Sequence, residues 1–198
     1  MTRRRTRQER HGGEVGATAL LVVDMLNPYE HEEGEQLAES VAGALPGVRT
    51  LLERAGEEET PVVYVNDNYG DWNSSSEELA RQAMDGARPD LVEPVLPQEG
   101  QSFVVKARHS TFYETPLEYL LDQMGVGRLV FSGQVTEQCI FYSALDAYVR
   151  HFDVVIPTDA VAAIYDDLGE AALTMMERNM GAELESAAKI DLGRREER

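Results

Sequence analysis

Short apolar runs alternate with longer amphipathic stretches along most of this chain, and that alternation restricts its fold more than any other feature. Such a pattern is the signature of repeated β–α units, whose strands form a mostly parallel sheet. Most runs are almost continuous in Val, Ile, Leu or Phe, as expected for strands that helices cover on both faces. The candidate strands are residues 19–25, 62–66, 103–106, 128–132, 153–157 and 182–185. The sequence therefore predicts an α/β fold with a mostly parallel six-stranded sheet.

Helix signals flank the amphipathic stretches between these strands. Thr115-Pro116 supplies a capping residue and a first-turn proline, and Gly125 ends the helix that follows. Further helices are expected at residues 77–84, 137–149 and 166–180. The stretch from residue 66 to residue 103 is polar and broken by prolines. We expect this long insertion to lie near the functional site.

Length and charge limit the classes of function. The chain has 198 residues, the usual size of one domain. Its 18 basic and 36 acidic side chains give a formal net charge of -18, which repels phosphate backbones and anionic membranes. No apolar segment approaches the ~20 residues that span a bilayer. We expect neither a nucleic-acid partner nor a membrane partner.

Arginines are concentrated in the first ten positions, in a segment unlike the acidic remainder of the chain. We expect residues 1–16 to form a disordered basic tail, residues 17–190 to form one folded domain, and residues 191–198 to form a C-terminal tail. An export signal would need an apolar stretch and a cleavage site after the arginines, whereas the next apolar run leads directly into Asp24. We therefore expect a cytoplasmic protein.

Cys139 is the only cysteine. A single cysteine excludes an intrachain disulfide framework and a thiolate-rich metal cluster. A lone free cysteine is more often an inert core residue than a reactive one. Its neighbours in the fold must therefore decide whether Cys139 is structural or chemical.

Three polar residues stand where apolar strands end. Asp24 follows Ala-Leu-Leu-Val-Val, Lys106 follows Phe-Val-Val, and Cys139 lies where a strand gives way to a helix. In a parallel α/β sheet the reactive crevice lies beyond the carboxyl ends of the strands, so all three could face one crevice. Taken singly, Asp24 could cap a turn or a helix, and Lys106 could be an exposed strand end.

These residue types suit nucleophilic catalysis. A thiol at a helix amino terminus beside a cation has a pKa below its usual value of about 8.5, and Lys106 can supply that cation. The carboxylate of Asp24 can accept the thiol proton and return it to a leaving amine. Backbone N–H groups between Gly133 and Cys139 can bind the oxyanion of a tetrahedral intermediate.

Three motifs carry a resemblance to a known family. They are Asp24-Met25-Leu26-Asn27, then Lys106 with Ser110 and Phe112, then Gly133-Gln134-Val135-Thr136-Glu137-Gln138-Cys139. In order and spacing they resemble the three signatures of isochorismatase-like cysteine hydrolases, over residues 17–185. The pattern departs from that family at Leu26 and Pro28, so the pocket wall near Tyr29 is expected to differ.

The resemblance implies a Rossmann-like three-layer α/β/α sandwich and a triad of Asp24, Lys106 and Cys139. It implies that Cys139 forms a thioester-like intermediate. It also implies a cis peptide bond at Gln134–Val135, in the turn that continues through Thr136, with the oxyanion held by the N–H groups of Val135 and Cys139. Because members are commonly dimers or tetramers, a homo-oligomer is expected.

The resemblance implies an enzyme with a small-molecule substrate. The leading hypothesis is hydrolysis of a C–N bond in a small amide, ureide or carbamoyl compound. One alternative is isochorismatase-type hydrolysis of a vinyl ether, which some members perform without the cysteine. Another is a catalytically silent binding or scaffold protein that kept the fold and a buried thiol.

The sequence predicts neither a metal nor another cofactor. Nicotinamidases of the resembled family carry an aspartate and two histidines after the second strand, whereas residues 66–73 contain no histidine. The four histidines are scattered and show no ligand spacing, so we expect them at the surface or behind the site. Asp67 and Asp71 could hold a hard cation, but a role in a turn or a helix cap is the preferred interpretation.

Four residues are candidates for contacting the substrate. Tyr29, Trp72 and Phe112 are aromatic and lie near a motif or in the insertion, although any of them could simply be packing. Arg108 could bind a substrate carboxylate, since a guanidinium group binds carboxylates in a fork. An ordinary salt bridge to an acidic side chain is the alternative for Arg108.

Overall fold

A parallel sheet forms the centre of the computed structural model, which describes residues 16–193. Residues 1–15 and 194–198, which hold most of the two predicted tails, lie outside the described residues. The strand order is β3-β2-β1-β4-β5-β7, with β6 paired to β4. The strands are β1 (Ala17–Val23), β2 (Val62–Asp67), β3 (Ser102–Lys106), β4 (Val126–Gln134), β5 (Asp153–Pro157), β6 (Val161–Ala162) and β7 (Glu183–Glu185).

The prediction of a mostly parallel sheet is confirmed, but the strand count is corrected from six to seven. The strand missing from the prediction is β6, which pairs Val161 with Gly133 and Ala162 with Gln134. Two residues are too short for a periodic pattern. This short strand holds the end of β4 beside the turn that carries Cys139.

Helices connect the strands. They are α1 (Gly34–Glu57), α2 (Ser76–Asp85), α3 (Pro89–Val92), α4 (Leu117–Gln123), α5 (Phe141–Val149) and α6 (Asp166–Met175). A π-helical turn, Thr136–Ile140, leads into α5, and another, Met176–Met180, continues α6. The helices predicted at 137–149 and 166–180 are therefore helical over their lengths, but each has one widened turn.

The sheet has an apolar core on each face. Leu20 and Val22 of β1 point to the core beneath α1, while the alternate residues Leu21 and Val23 point to the core beneath α4, α5 and α6. This alternation follows from the two-residue period of a strand. The result is a Rossmann-like three-layer α/β/α sandwich.

Strand register brings the carboxyl ends of the central strands together. Val23 pairs with Val65 on one side and with Gly133 on the other, and Asp67 pairs with Lys106. The residues that end these four strands therefore share one edge of the sheet.

The packed chain extends past residue 190, where the sequence places the end of the domain. Leu192 is buried, and its carbonyl accepts a hydrogen bond of 2.9 Å from the hydroxyl of Thr60. The guanidinium group of Arg128 donates to the carbonyl of Asp191. Residues 191–193 thus belong to the folded body rather than to a tail. No helix in residues 16–193 is both long enough and apolar enough to cross a membrane.

Candidate active site

The end of β4 packs directly against the end of β1. Gly133 has a φ of 111°, and a Cβ atom built there would lie 2.1 Å from the carbonyl oxygen of Val23, so a larger residue does not fit. The buried side chain of Gln134 then donates from Nε2 to the backbone carbonyl of Asp24 at 2.5 Å. The peptide bond between Gln134 and Val135 is cis, at the position where the resemblance implies such a bond.

Asp24 leaves β1 in the left-handed region, with a φ of 53°. Its Oδ1 atom accepts a hydrogen bond of 2.7 Å from the backbone N–H of Asp67, and its Oδ2 atom lies 2.9 Å from Nζ of Lys106. Asn66 holds the following loop, because its side chain bonds to both the N–H and the carbonyl of Leu26. The end of β2 therefore fixes the orientation of the Asp24 carboxylate.

Lys106 lies at the centre of the charge cluster, with a fully buried side chain. Its ammonium group is 2.9 Å from Asp24, 3.3 Å from Asp67 and 3.6 Å from Sγ of Cys139. A buried ammonium is stable only when partners compensate its lost hydration. The two carboxylates provide that compensation and direct the ammonium toward the thiol.

Cys139 lies in the π-helical turn that precedes α5, with only 8% of its surface exposed. The carboxylate of Asp24 raises the pKa of the thiol, and the backbone N–H of Val135 lowers it. Thr136 is buried at the start of the same turn, and its carbonyl accepts the N–H of Phe141. The Nδ1 atom of His109 lies 3.7 Å from Sγ.

The expected direction of the thiol pKa is wrong. Burial raises the pKa of Cys139 above its ordinary value, the negative charge of Asp24 raises it further, and Lys106 only partly opposes the two. Burial also raises the pKa of Asp24, against the lowering effect of Lys106. The resting pair is therefore a neutral thiol beside a carboxylate of increased basicity. Attack by this sulfur on a substrate would require transfer of the thiol proton, and Asp24 could accept it.

Two residues of this cluster were not among the predicted site residues. Asp67 accepts the N–H of Tyr69 in a turn, as the preferred interpretation expects, but its other oxygen also contacts Lys106. Asp67 stands at the end of the apolar strand β2, just as Asp24 directly follows β1. The same pattern, a polar residue at the end of an apolar strand, could therefore have identified Asp67. His109 follows Lys106 by three residues, a spacing that could have drawn attention to it.

Replacing Asp67 with asparagine is expected to lower kcat about threefold to tenfold, because Lys106 loses one of its charged partners and is less well oriented. The effect is modest because Asp67 is partly exposed, and solvent weakens its interaction with Lys106. Steady-state kinetics on an accepted substrate would measure this loss. Asp90→Asn, which removes an exposed partner of Arg88, is the matched control. Equal activity of both variants would contradict a role for Asp67.

The insertion and the loop after β3 together form a cleft of about 490 Å³ next to Lys106. Trp72 and Arg108 both line it, and Trp72 is 81% exposed. The other two substrate candidates lie elsewhere. Phe112 is buried against Phe152 and beneath the guanidinium group of Arg150, so it is a core residue. Tyr29 is buried behind the site, with its hydroxyl 3.5 Å from Oε1 of Gln134.

A metal site in the described residues would require a group of metal-ligating side chains. Within residues 16–193 no group of three or more His, Cys, Asp or Glu side chains is arranged to hold one. Asp71, the other carboxylate considered for a cation, accepts the N–H of Asn73 in a turn at 2.9 Å.

Comparison with known proteins identifies the family. A family model for the Isochorismatase domain matches residues 18–189. The chain belongs to the isochorismatase family. It is 35% identical to the isochorismatase family protein YaaI of Bacillus subtilis, over 87% of this chain and 95% of that protein. Isochorismatase family membership, with amidohydrolases among the relatives, makes this protein a hydrolase.

Two further family members carry names that describe their reactions. The ureidoacrylate amidohydrolase RutB of Methylorubrum extorquens is 29% identical over 92% of this chain and 87% of its own length. The crystal structure of N-carbamoylsarcosine amidase from Thermoplasma acidophilum superimposes with a TM-score of 0.69 at 27% identity, covering 88% of this chain and 99% of that one. Both relatives are named as enzymes that cleave amide-type bonds.

Proposed function

We propose that this isochorismatase family hydrolase cleaves a C–N bond in a small amide, ureide or carbamoyl compound, with Cys139 as the nucleophile. The observation that carries the proposal is a sulfur that lies 3.6 Å from a buried ammonium group, which itself lies 2.9 Å from the Asp24 carboxylate at the carboxyl edge of the sheet. The names of the amidohydrolase relatives support a substrate with a carbon–nitrogen bond.

In the first half of the reaction, Sγ of Cys139 attacks the carbonyl carbon of the substrate while its proton moves to Asp24. The sulfur–carbon bond forms, and the carbonyl π electrons move to oxygen. The N–H groups of Val135 and Cys139 bind that oxyanion. Negative charge thus passes from Asp24 through the sulfur to the substrate oxygen, and the ammonium of Lys106, 2.9 Å from Asp24 and 3.6 Å from the sulfur, stabilises it at the start of this transfer.

The first half continues as protonated Asp24 returns its proton to the substrate nitrogen and the C–N bond breaks. Ammonia or an amine leaves, and a thioester-like group remains on Cys139. In the second half, water attacks that carbon, the C–S bond breaks, and the acid product departs with the thiol restored. The buried position of Asp24 suits it to this transfer because burial keeps its pKa raised.

The cleft beside Lys106 supports a substrate that carries a carboxylate. Arg108 is exposed there, and its guanidinium group donates a hydrogen bond of 3.3 Å to the neighbouring carbonyl of Ala107. A guanidinium group in this setting can form a charge-assisted pair with a carboxylate. Trp72 supplies an apolar wall on the same cleft.

Arg108→Gln is expected to raise KM for a carboxylate-bearing substrate about tenfold to a hundredfold, the value of a charge-assisted hydrogen bond. A neutral analogue of that substrate should be affected little, because it never used the guanidinium charge. The comparison of both substrates in steady-state assays measures this selectivity. Arg81→Gln, which removes an exposed arginine on α2, is the control, and an equal loss for both substrates would refute the assignment.

A homo-oligomer, either a dimer or a tetramer, is also proposed. Large apolar side chains are exposed on consecutive turns of α5, at Tyr142, Leu145 and Val149. Apolar faces of this kind commonly pack against another subunit. Sedimentation equilibrium of the intact chain tests the proposal, and a monomer at micromolar concentration would refute it.

The proposed function is tested by ammonia release from a panel of small amides, ureides and carbamoyl acids. Ammonia release from at least one of these classes of compound would identify the class of substrate. If no compound in the panel is hydrolysed, the proposal fails and isochorismate is the next compound to assay.

A further inference from the structure

His109 contacts the sulfur of Cys139 from the solvent side of the site. Its Nδ1 atom is 3.7 Å from Sγ, and the residue itself is exposed. The imidazole ring stacks on the ring of Tyr142, with 5.5 Å between centroids and 29° between planes. The stacking holds the ring beside the sulfur, so the contact is a feature of the folded site.

Asp24 approaches the same sulfur from the buried side. Its two carboxylate oxygens are already bonded to the N–H of Asp67 and to Lys106, and its side chain is 8% exposed. That position suits a proton exchanged directly with the thiol. The water that hydrolyses the thioester has to come from solvent, where His109 rather than Asp24 is open to it.

We propose that His109 is the general base of the second half-reaction. This inference depends on the proposed function, because it requires a thioester on Cys139. The imidazole removes a proton from the incoming water as the water oxygen bonds to the acyl carbon. The C–S bond then breaks, the sulfur leaves as thiolate, and the imidazolium proton moves to that sulfur across the 3.7 Å contact. Imidazole is the side chain best suited to accept and donate a proton near neutral pH.

Because Asp24 is assigned to thioester formation and His109 to thioester hydrolysis, replacing His109 should affect the two half-reactions differently. In His109→Gln, formation of the thioester should proceed at nearly the wild-type rate, because Asp24 and Lys106 are untouched. Hydrolysis of the thioester should slow about a hundredfold to ten-thousandfold, the usual contribution of a general base. The slow step then leaves acylated Cys139 as the dominant form of the enzyme during turnover.

Rapid-quench measurement of ammonia, with intact-mass analysis of the quenched protein, separates the two steps. His109→Gln should release one equivalent of ammonia per site in a burst, then turn over slowly, with the acyl group retained on Cys139. Hydroxylamine, a nucleophile that needs no general base, should restore its turnover. The control is His151→Gln, at the opposite edge of the sheet before β5, which should behave as wild type.

Two outcomes would overturn the assignment. Unchanged turnover of His109→Gln would show that the imidazole has no role in the reaction. Loss of the burst without an adduct, and without rescue by hydroxylamine, would place His109 in the first half-reaction or in the fold. The proposed function fails separately, if Cys139→Ala still hydrolyses the substrate; in that case wild-type and His109→Gln proteins would both lack an adduct.

Discussion

Cys139→Ala is expected to lower kcat by more than about 10⁴-fold on any amide, ureide or carbamoyl substrate that the wild-type enzyme accepts. The alanine variant keeps the turn but has no atom that can form the covalent bond to carbon. Because Cys139 is the only cysteine, the variant also loses all thiol reactivity, which verifies the substitution. Ammonia release over several hours measures the residual rate.

Cys139→Ser is the matched variant for this experiment. Its hydroxyl keeps a donor toward Asp24 but is a weaker nucleophile, so its turnover should also be severely reduced. Both variants should retain the wild-type circular dichroism spectrum, since alanine and serine are no larger than the buried cysteine and fit the same space. Retained turnover in a folded alanine variant would exclude the nucleophile assigned here.

Asp24→Asn is expected to lower kcat about a hundredfold to ten-thousandfold, since an amide cannot accept the thiol proton. We expect a large loss because burial still raises the pKa of the Cys139 thiol in the variant, and a neutral thiol needs a base before it can attack. The substitution also leaves Lys106 with only one charged partner, so unfolding temperature has to be measured together with kcat. Asp85→Asn on α2, an exposed carboxylate paired with Arg81, is the control.

The acid limb of the wild-type pH profile follows from the same carboxylate. Burial raises the pKa of Asp24 above the ordinary value of 3.8, so the active, ionised base is lost as pH falls through that raised value. The acid limb of kcat/KM should therefore lie above pH 3.8 in the wild type. It should be absent from the residual activity of Asp24→Asn. An unchanged acid limb in that variant would show that another group is the base.

Much of the fold could be predicted because most buried strands are short apolar runs in the sequence. The elements that this pattern did not reveal have identifiable physical causes. Helix α1 continues through Pro46 and Gly47, which normally interrupt a helix. Gly47 is needed there because a Cβ atom would lie 2.2 Å from the carbonyl oxygen of Asp159. Strand β6 is too short to carry a pattern and exists only because it pairs with the end of β4.

Some features of the candidate site could likewise be predicted from the sequence, whereas others depend on the folded structure. Asp24 and Lys106 were identified because polar residues that end apolar strands meet at one edge of a parallel sheet. The direction of the Cys139 pKa could not be inferred, because it depends on burial and on the distance to Asp24, which only the structure gives. For the same reason, the sequence could not show that Phe112 packs in the core against Phe152, or that the exposed His109 lies 3.7 Å from Sγ of Cys139. Spacing places both near Lys106, but only packing decides which one faces the core.

The most direct test of the account is to trap the thioester with hydroxylamine during turnover of the wild-type enzyme. An acyl group on Cys139 will partition between water and hydroxylamine, so the account predicts a hydroxamate product that increases with hydroxylamine concentration and is absent with Cys139→Ala. Hydrolysis that yields only the acid, with no hydroxamate at any hydroxylamine concentration, would contradict a covalent intermediate on Cys139.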